Sequence, residues 1–91
     1  MSGTEKILAR IQNGKGEIQI REITFRGRTY LDIRKFYVNE YDEVLPTKKG
    51  IALPPRMTEK VLDSLNELRE QNALPTASSV GGGPSEEDEP L

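Results

Sequence analysis

The middle of the chain, residues 18–53, reads IQIREITFRGRTYLDIRKFYVNEYDEVLPTKKGIAL and carries the clearest strand pattern of the sequence. β-Branched and aromatic residues alternate with charged ones over much of it, the pattern of strands with one buried and one exposed face. Glycine, asparagine and proline interrupt the pattern at intervals, as turns between strands require. The stretch predicts a sheet with one face in a core and the other able to present cations and aromatic rings to a polyanion.

The same patterns, followed outward, predict the remaining elements. Residues 6–12 alternate weakly, which predicts a first strand with Ile7, Ala9 and Ile11 on one face. Asn13-Gly14-Lys15-Gly16 is typical of a hairpin turn. We therefore expect an α+β fold, a four-stranded antiparallel curved sheet followed by one C-terminal amphipathic helix. The predicted strands are residues 6–12, 17–25, 29–38 and 44–53, and the predicted helix is residues 56–71.

The predicted helix carries a wide apolar stripe, and the domain is small. A core of about 70 residues buries only roughly 60% of its unfolded surface, so a monomer would be marginally stable. The chain has no cysteine, which excludes disulfides and thiolate-held metals as reinforcement. We therefore expect a homodimer. The stripe consists of Met57, Val61, Leu62, Leu65 and Leu68.

The charge of the chain is divided between a mildly basic body and an acidic tail. Residues 1–72 hold all 13 Lys and Arg residues and 11 acidic ones, whereas residues 73–91 hold four acidic residues and no basic one. The second segment is rich in Gly, Ser and Pro and has little to bury. We expect one folded domain at residues 1–72 and a disordered linker with an acidic tail at residues 73–91. No membrane span or signal peptide is recognisable, so we expect an intracellular protein outside membranes.

Residue types that many enzymes need are missing. His and Cys are absent, which excludes Ser-His and Cys-His nucleophiles and histidine-held metals. No glycine-rich phosphate-binding loop is present. Asp32 lies in the middle of a predicted strand, and we expect it to pair with a neighbouring arginine, such as Arg34 or Arg21, rather than to act as a catalytic acid. The sequence predicts a protein that is not an enzyme and has no cofactor or metal.

Basic and aromatic side chains are concentrated in the predicted sheet. They could follow the phosphates of a nucleic acid strand, but an ordinary solvated face carries about as many bases, and acidic residues dilute this cluster. All five aromatic residues lie between residues 25 and 41. We expect Phe36 to be core, and Phe25 and Tyr37 to be better placed for stacking on unpaired bases. Strict alternation puts Arg34 and Tyr37 on opposite faces unless a bulge or the strand end intervenes.

Four segments in a fixed order resemble the positive cofactor four family of transcriptional coactivators, which bind single-stranded DNA. They are FRGR at residues 25–28, LDIR at 31–34, the pair Phe36-Tyr37 and KKGIAL at 48–53, and a predicted helix follows at the family's distance. The resemblance implies that two protomers join their sheets into a curved surface backed by the helices. It also implies that unpaired strands run through channels on the concave side.

The resemblance further implies roles for individual residues. Phe25 and Tyr37 would stack on bases, and Arg34, Lys48 and Lys49 would contact phosphates. The helix stripe would cover the sheet and also build the dimer interface. Auxiliary contacts would come from Arg21, Arg26 and Arg28.

Some features depart from the family pattern. The segment between Arg21 and Leu31 is slightly longer, and Tyr37 stands where tryptophan is usual. The long Ser/Lys-rich N-terminal region of the eukaryotic members is absent. The last feature favours a compact bacterial-type member.

We therefore expect binding of single-stranded or melted DNA without sequence specificity, in transcription, replication or repair. A protein-interaction module with a basic face is one alternative, and an RNA-binding protein is another, because the same stacking surface would serve RNA. The acidic end, residues 85–91, is either an inert solubilising segment or a tip that recruits transcription or repair proteins or competes with DNA. The expected location is the nucleoid-associated cytoplasm of a bacterium or the nucleus of a eukaryote.

Overall fold

The computed structural model describes residues 4–76, which form a four-stranded antiparallel sheet followed by one helix. The strands lie side by side in sequence order, so the first and the last are the edges of the sheet. The predicted curved sheet with a C-terminal helix is confirmed. Apart from residues 73–76, the predicted disordered tail lies outside the described residues. The elements are β1 (Thr4–Asn13), β2 (Gly16–Phe25), β3 (Arg28–Val38), β4 (Val44–Leu53) and α1 (Pro55–Glu70).

The β2–β3 hairpin closes through two residues in the left-handed backbone region. Arg26 has a φ of 55° and Gly27 a φ of 76°. Two consecutive positive φ values give a turn whose twist matches that of the flanking strands, and glycine adopts such a value at little steric cost. This turn fixes the register of β2 against β3, with Phe25 opposite Arg28.

The two faces of the sheet differ in composition. Residues directly opposite each other on neighbouring strands share a face, and side chains alternate between faces along each strand. One face, called here the polar face, holds most of the charged residues of β2 and β3 together with four apolar or aromatic ones: Glu17, Gln19, Arg21, Ile23, Phe25, Arg28, Tyr30, Asp32, Arg34 and Phe36. The other, called here the apolar face, is richer in aliphatic residues: Ile11, Ile18, Ile20, Glu22, Thr24, Thr29, Leu31, Ile33, Lys35 and Ile51.

A bulge in β1 changes the face of the sheet on which its residues lie, compared with the expectation from the sequence. Ile7 lies opposite Arg21, but Ala9 lies opposite Ile20, so one residue between them is unpaired. The extra residue reverses the alternation, and Ile7 falls on the polar face while Ala9 and Ile11 lie on the apolar face. The expectation that these three residues share a face was wrong, because alternation alone does not reveal an unpaired residue.

A larger bulge interrupts β4. Arg34 lies opposite Gly50, whereas Phe36 lies opposite Pro46. Residues 47–49 therefore face a single residue of β3. Because β3 pairs regularly with β2 across the same stretch, the irregularity belongs to β4.

The ends of α1 are defined by backbone hydrogen bonds. Thr58 N–H donates to the Pro54 carbonyl at 2.9 Å in the first turn. After the last turn Asn72 has a φ of 62°, and Ala73 N–H donates to the Leu68 carbonyl at 2.9 Å, which is a Schellman ending. The observed helix begins and ends one residue before the predicted one. Within residues 4–76 no helix has the length and apolar character to cross a bilayer.

A single chain leaves much of its apolar surface uncovered. No residue of α1 is buried, and in residues 4–76 the buried apolar side chains are Phe36 and Leu53. On the helix Leu62 is 54% exposed, and on the apolar face Ile51 is 53% exposed. Phe36 is thus core as expected, but the helix stripe covers little of the sheet that precedes it.

Candidate nucleic-acid interface

Asp32 lies at the centre of the polar face and is fully buried. Its Oδ2 accepts hydrogen bonds from Arg21 Nε and Nη2 at 3.2 and 2.7 Å and from Arg34 Nε at 3.2 Å. Its Oδ1 accepts one from Arg34 Nη2 at 2.9 Å. The expected pairing of Asp32 with a neighbouring arginine is confirmed, and both candidate arginines take part.

Opposing effects act on the pKa of the Asp32 carboxyl group. Burial alone would raise this pKa, but the hydrogen bonds from Arg34 and Arg21 and the charges of the two guanidinium groups outweigh burial and lower it. The carboxyl group is therefore ionised at neutral pH. Asp32 therefore offsets one of the two positive charges that Arg21 and Arg34 bring to the polar face.

Arg34 keeps donors available for a ligand. Its Nε and Nη2 bind Asp32, and its Nη1 donates to the Thr47 carbonyl at 3.0 Å. A guanidinium has five N–H groups, so one on each terminal nitrogen is left over. The Arg34 side chain is 22% exposed. It is therefore fixed by contacts on two strands and can still donate to a phosphate.

Arg21 is more enclosed than Arg34. Its side chain is 11% exposed, and its guanidinium carbon lies 5.2 Å from the centroid of the Phe36 ring. Its Nη1 donates to Glu5 Oε1 at 3.0 Å, which ties β2 to β1. Arg21 therefore stabilises the centre of the polar face, and little of its side chain is accessible to a ligand.

The β2–β3 turn carries an exposed aromatic ring and nearby cations. Phe25 is 51% exposed, and the guanidinium carbon of Arg26 lies 5.1 Å from its ring centroid, within cation–π range. Arg28 is exposed and lies opposite Phe25 in register. Neither arginine forms a salt bridge within residues 4–76. This turn therefore combines a stacking surface with two cations that no carboxylate of residues 4–76 pairs with.

The β4 bulge carries Lys48 and Lys49. Both are exposed, and in the described part of the chain neither takes part in a salt bridge. Gly50 closes the bulge against Arg34. A Cβ atom on Gly50 would lie 2.9 Å from Arg34 Cα, which is too close for any other residue without movement of the strands. The close approach keeps the bulge next to Arg34.

Tyr37 lies apart from the other candidates. It is 47% exposed. β3 pairs regularly with β2 as far as Phe36, so alternation puts Tyr37 on the apolar side and Arg34 on the polar face. The structure thus groups Phe25, Arg28 and Arg34 on one face and separates Tyr37 from them.

The sequence did not reveal a second set of ion pairs on the polar face. Arg10 donates from Nε and Nη2 to the two carboxylate oxygens of Glu17, each at 2.9 Å, and Gln19 also donates to Glu17. These hydrogen bonds lower the pKa of the Glu17 carboxyl group. Only the register of β1 against β2 could have located them. No cluster of acidic side chains in residues 4–76 could hold a metal ion.

The fold can be compared with known protein families. The model of the family described as Transcriptional Coactivator p15 (PC4) matches residues 13–64, more than half of the 91-residue chain. The chain belongs to this family. The PC4 match includes β2, β3, β4 and the N-terminal part of α1, and it confirms the family resemblance inferred from the sequence segments.

Several PC4 relatives are similar to this chain. The RNA polymerase II transcriptional coactivator of Drosophila melanogaster is 41% identical over 54 residues, which are 59% of this chain and 48% of that protein. The match thus spans about half the length of this curated relative. A crystal structure of a PC4 homologue from Burkholderia pseudomallei has a TM-score of 0.65 and 28% identity over 72% of this chain and 98% of that one. A bacteriophage T5 homologue of PC4 has a TM-score of 0.58 and 25% identity over 81% of this chain and 85% of its own.

Proposed function

We propose that this PC4-family protein binds single-stranded or melted DNA, without sequence specificity, through the polar face and the adjoining β4 bulge. The observation that carries the proposal is the exposed Phe25 ring with the Arg26 guanidinium beside it, on the face that also holds Arg34. Unpaired bases offer an aromatic face that duplex DNA keeps stacked, so an exposed ring next to cations favours single strands.

The proposed contacts divide between phosphates and bases. Lys48, Lys49 and the two spare N–H groups of Arg34 would bind phosphates, and Phe25 would stack on a base. Tyr37 is a second stacking candidate that a strand could reach only around the end of β3. Auxiliary contacts would come from Arg21, Arg26 and Arg28.

The relatives support two biological settings. The Drosophila relative is an RNA polymerase II transcriptional coactivator, and the T5 homologue is implicated in recombination-dependent DNA replication. We infer a role as a coactivator or in replication and repair, because each process holds separated strands apart. Recruitment of transcription or repair proteins by the acidic residues 85–91, which lie outside the described residues, is a proposal from charge alone. The protein would act at the nucleoid of a bacterium or in the nucleus of a eukaryote.

We also propose that the functional unit is a homodimer. The helix stripe and the apolar face leave large side chains in water in the single chain, including Leu62, Leu65 and Ile51. Burial of such surface against a second copy would supply stability that this small core lacks. The interface would include Met57, Val61, Leu62, Leu65 and Leu68.

The first test is fluorescence anisotropy with a labelled single strand of about 20 nucleotides and the matching duplex, across a series of salt concentrations. We expect clear preference for the single strand and a steep decrease of affinity with salt. Replacing Lys48 and Lys49 together by alanine should reduce the slope of log affinity against log salt by about 1.4, because each lost phosphate contact accounts for about 0.7.

The control for this test is Lys60→Ala, which removes an exposed cation from α1, away from the bulge. It should leave the slope unchanged. Equal or negligible binding to both DNA forms would contradict the proposal and favour a protein-interaction module. Tighter binding to an RNA strand of the same sequence would favour the RNA-binding alternative.

Replacing Phe25 by alanine should weaken single-strand binding by about 1–3 kcal/mol, the usual contribution of one base–aromatic stack. The salt slope should not change, because no phosphate contact is lost. Phe25→Tyr should retain most of the affinity. The matched control is Tyr41→Ala in the β3–β4 loop, where the ring is 75% exposed. Equal losses for Phe25→Ala and Tyr41→Ala would argue against a stacking site at the turn.

A further inference from the structure

The β4 bulge is held by the side chain of Thr47. Thr47 Oγ1 donates to the Lys35 carbonyl on β3 at 2.6 Å and accepts a hydrogen bond from Lys49 N–H at 3.1 Å. Where the bulge interrupts regular pairing, backbone groups of β3 and β4 lose their usual partners. One hydroxyl therefore satisfies a carbonyl on one strand and an amide on the other.

The Thr47 backbone is anchored as well. Its carbonyl accepts the hydrogen bond from Arg34 Nη1 at 3.0 Å, and Arg34 is itself fixed by the buried carboxylate of Asp32. Gly50 closes the other end of the bulge by its close approach to Arg34. The loop that carries the two lysines is thus attached at both ends to the centre of the polar face.

The bulge changes what two consecutive lysines can do. In a regular strand Lys48 and Lys49 would point to opposite faces, and only one could reach a ligand on a given face. A bulge releases residues from strict alternation. The hydroxyl bonded to Lys49 N–H holds the backbone in this irregular conformation.

We propose that Thr47 is a positioning residue for DNA binding, whose hydroxyl holds the bulge so that Lys48 and Lys49 contact phosphates of one strand together. The inference rests on the proposed function and assigns no contact with DNA to Thr47 itself. The conformation of the bulge requires a hydroxyl at position 47 that bonds to both strands, and either threonine or serine can supply it.

The test compares Thr47→Val, which keeps the shape and removes the hydroxyl, with Thr47→Ser, which keeps the hydroxyl. Single-strand affinity is measured across a salt series for both, for Lys48→Ala/Lys49→Ala and for the triple variant that adds Thr47→Val. We expect Thr47→Val to weaken binding about tenfold and to reduce the salt slope by about 0.7 or more. Thr47→Ser should bind like the wild type, and Thr47→Val should have no further effect once both lysines are removed.

The outcomes separate this inference from the proposed function. Wild-type binding that depends on both lysines but not on the Thr47 hydroxyl would overturn the inference alone. A wild type with no preference for single strands would overturn both. Hydrogen exchange of the Lys49 amide provides a second measurement in protein without DNA. Faster exchange in Thr47→Val than in Thr47→Ser is expected, and equal exchange would contradict the positioning role.

Discussion

Replacing Asp32 with asparagine is expected to lower the free energy of unfolding by about 3–5 kcal/mol, the usual effect of removing one partner from a buried ion pair. The variant leaves the guanidinium groups of Arg21 and Arg34 close together in the centre of the polar face, with no buried counter-charge in residues 4–76 and only the exposed Glu5 carboxylate paired with Arg21. Small domains have only about 5–15 kcal/mol of stability in total. Urea denaturation at fixed protein concentration measures the loss.

The matched control is Asp63→Asn on the exposed surface of α1. A surface substitution of this kind should change stability by no more than about 0.5 kcal/mol. If Asp32→Asn proved as stable as Asp63→Asn, the two arginines would not need the carboxylate between them.

The pH dependence of stability provides a further check on the same carboxylate. The pKa of Asp32 is lowered in the folded protein, so its stabilisation is fully present above the unfolded-state pKa of about 3.9 and is lost as the pH falls below that value. The wild type should therefore lose stability below about pH 4, and Asp32→Asn should lose less over the same range.

Replacing Leu65 with glutamate is expected to convert the protein to a monomer. Leu65 is 45% exposed in the single chain and lies in the helix stripe that we place at the dimer interface. In a two-fold interface each substitution occurs twice. A charge in place of a leucine that would be buried in the dimer should reduce the free energy of association by about 2 kcal/mol or more on each side. Association would then be roughly a thousandfold weaker. Sedimentation equilibrium over a range of concentrations measures the change.

The control for Leu65→Glu is Asn66→Glu, which introduces the same charge at the next helix position, outside the stripe. It should remain dimeric, and its melting temperature should rise with protein concentration like that of the wild type. A wild type that is monomeric at all concentrations would exclude the proposed dimer.

The strands and the helix were predictable because, in these segments, the secondary-structure propensity of the residues agrees with the spacing of their apolar positions. The two-residue turn at Arg26 and Gly27 has the backbone that its sequence suggests, and Pro54 and Pro55 stand where β4 has ended and α1 begins. The ion pairing of Asp32 with a neighbouring arginine was predictable from the position of Asp32 in the strand. A carboxylate in the middle of a strand has to find a partner when it is buried.

The bulges and the contacts they create were not predictable. Hydrophobic alternation shows which residues share a face only while strand pairing is regular. Neither the bulge after Ile7 nor the bulge at residues 47–49 can be recognised from the pattern of residue types. The role of Thr47 depends on the second bulge. The binding residues named by family resemblance therefore stay predictions, whereas the supporting hydroxyl became visible only in three dimensions.

Both bulges lie in edge strands, one in β1 and one in β4, and this has a consequence for self-association. A regular edge strand exposes a row of backbone donors and acceptors on which further strands can assemble without limit. An interrupted row is a poor template for such growth. With both edges of the sheet interrupted in this way, fibril-like stacking of strands is disfavoured, and association through the proposed interface of helix and apolar face would stop at a finite number of copies.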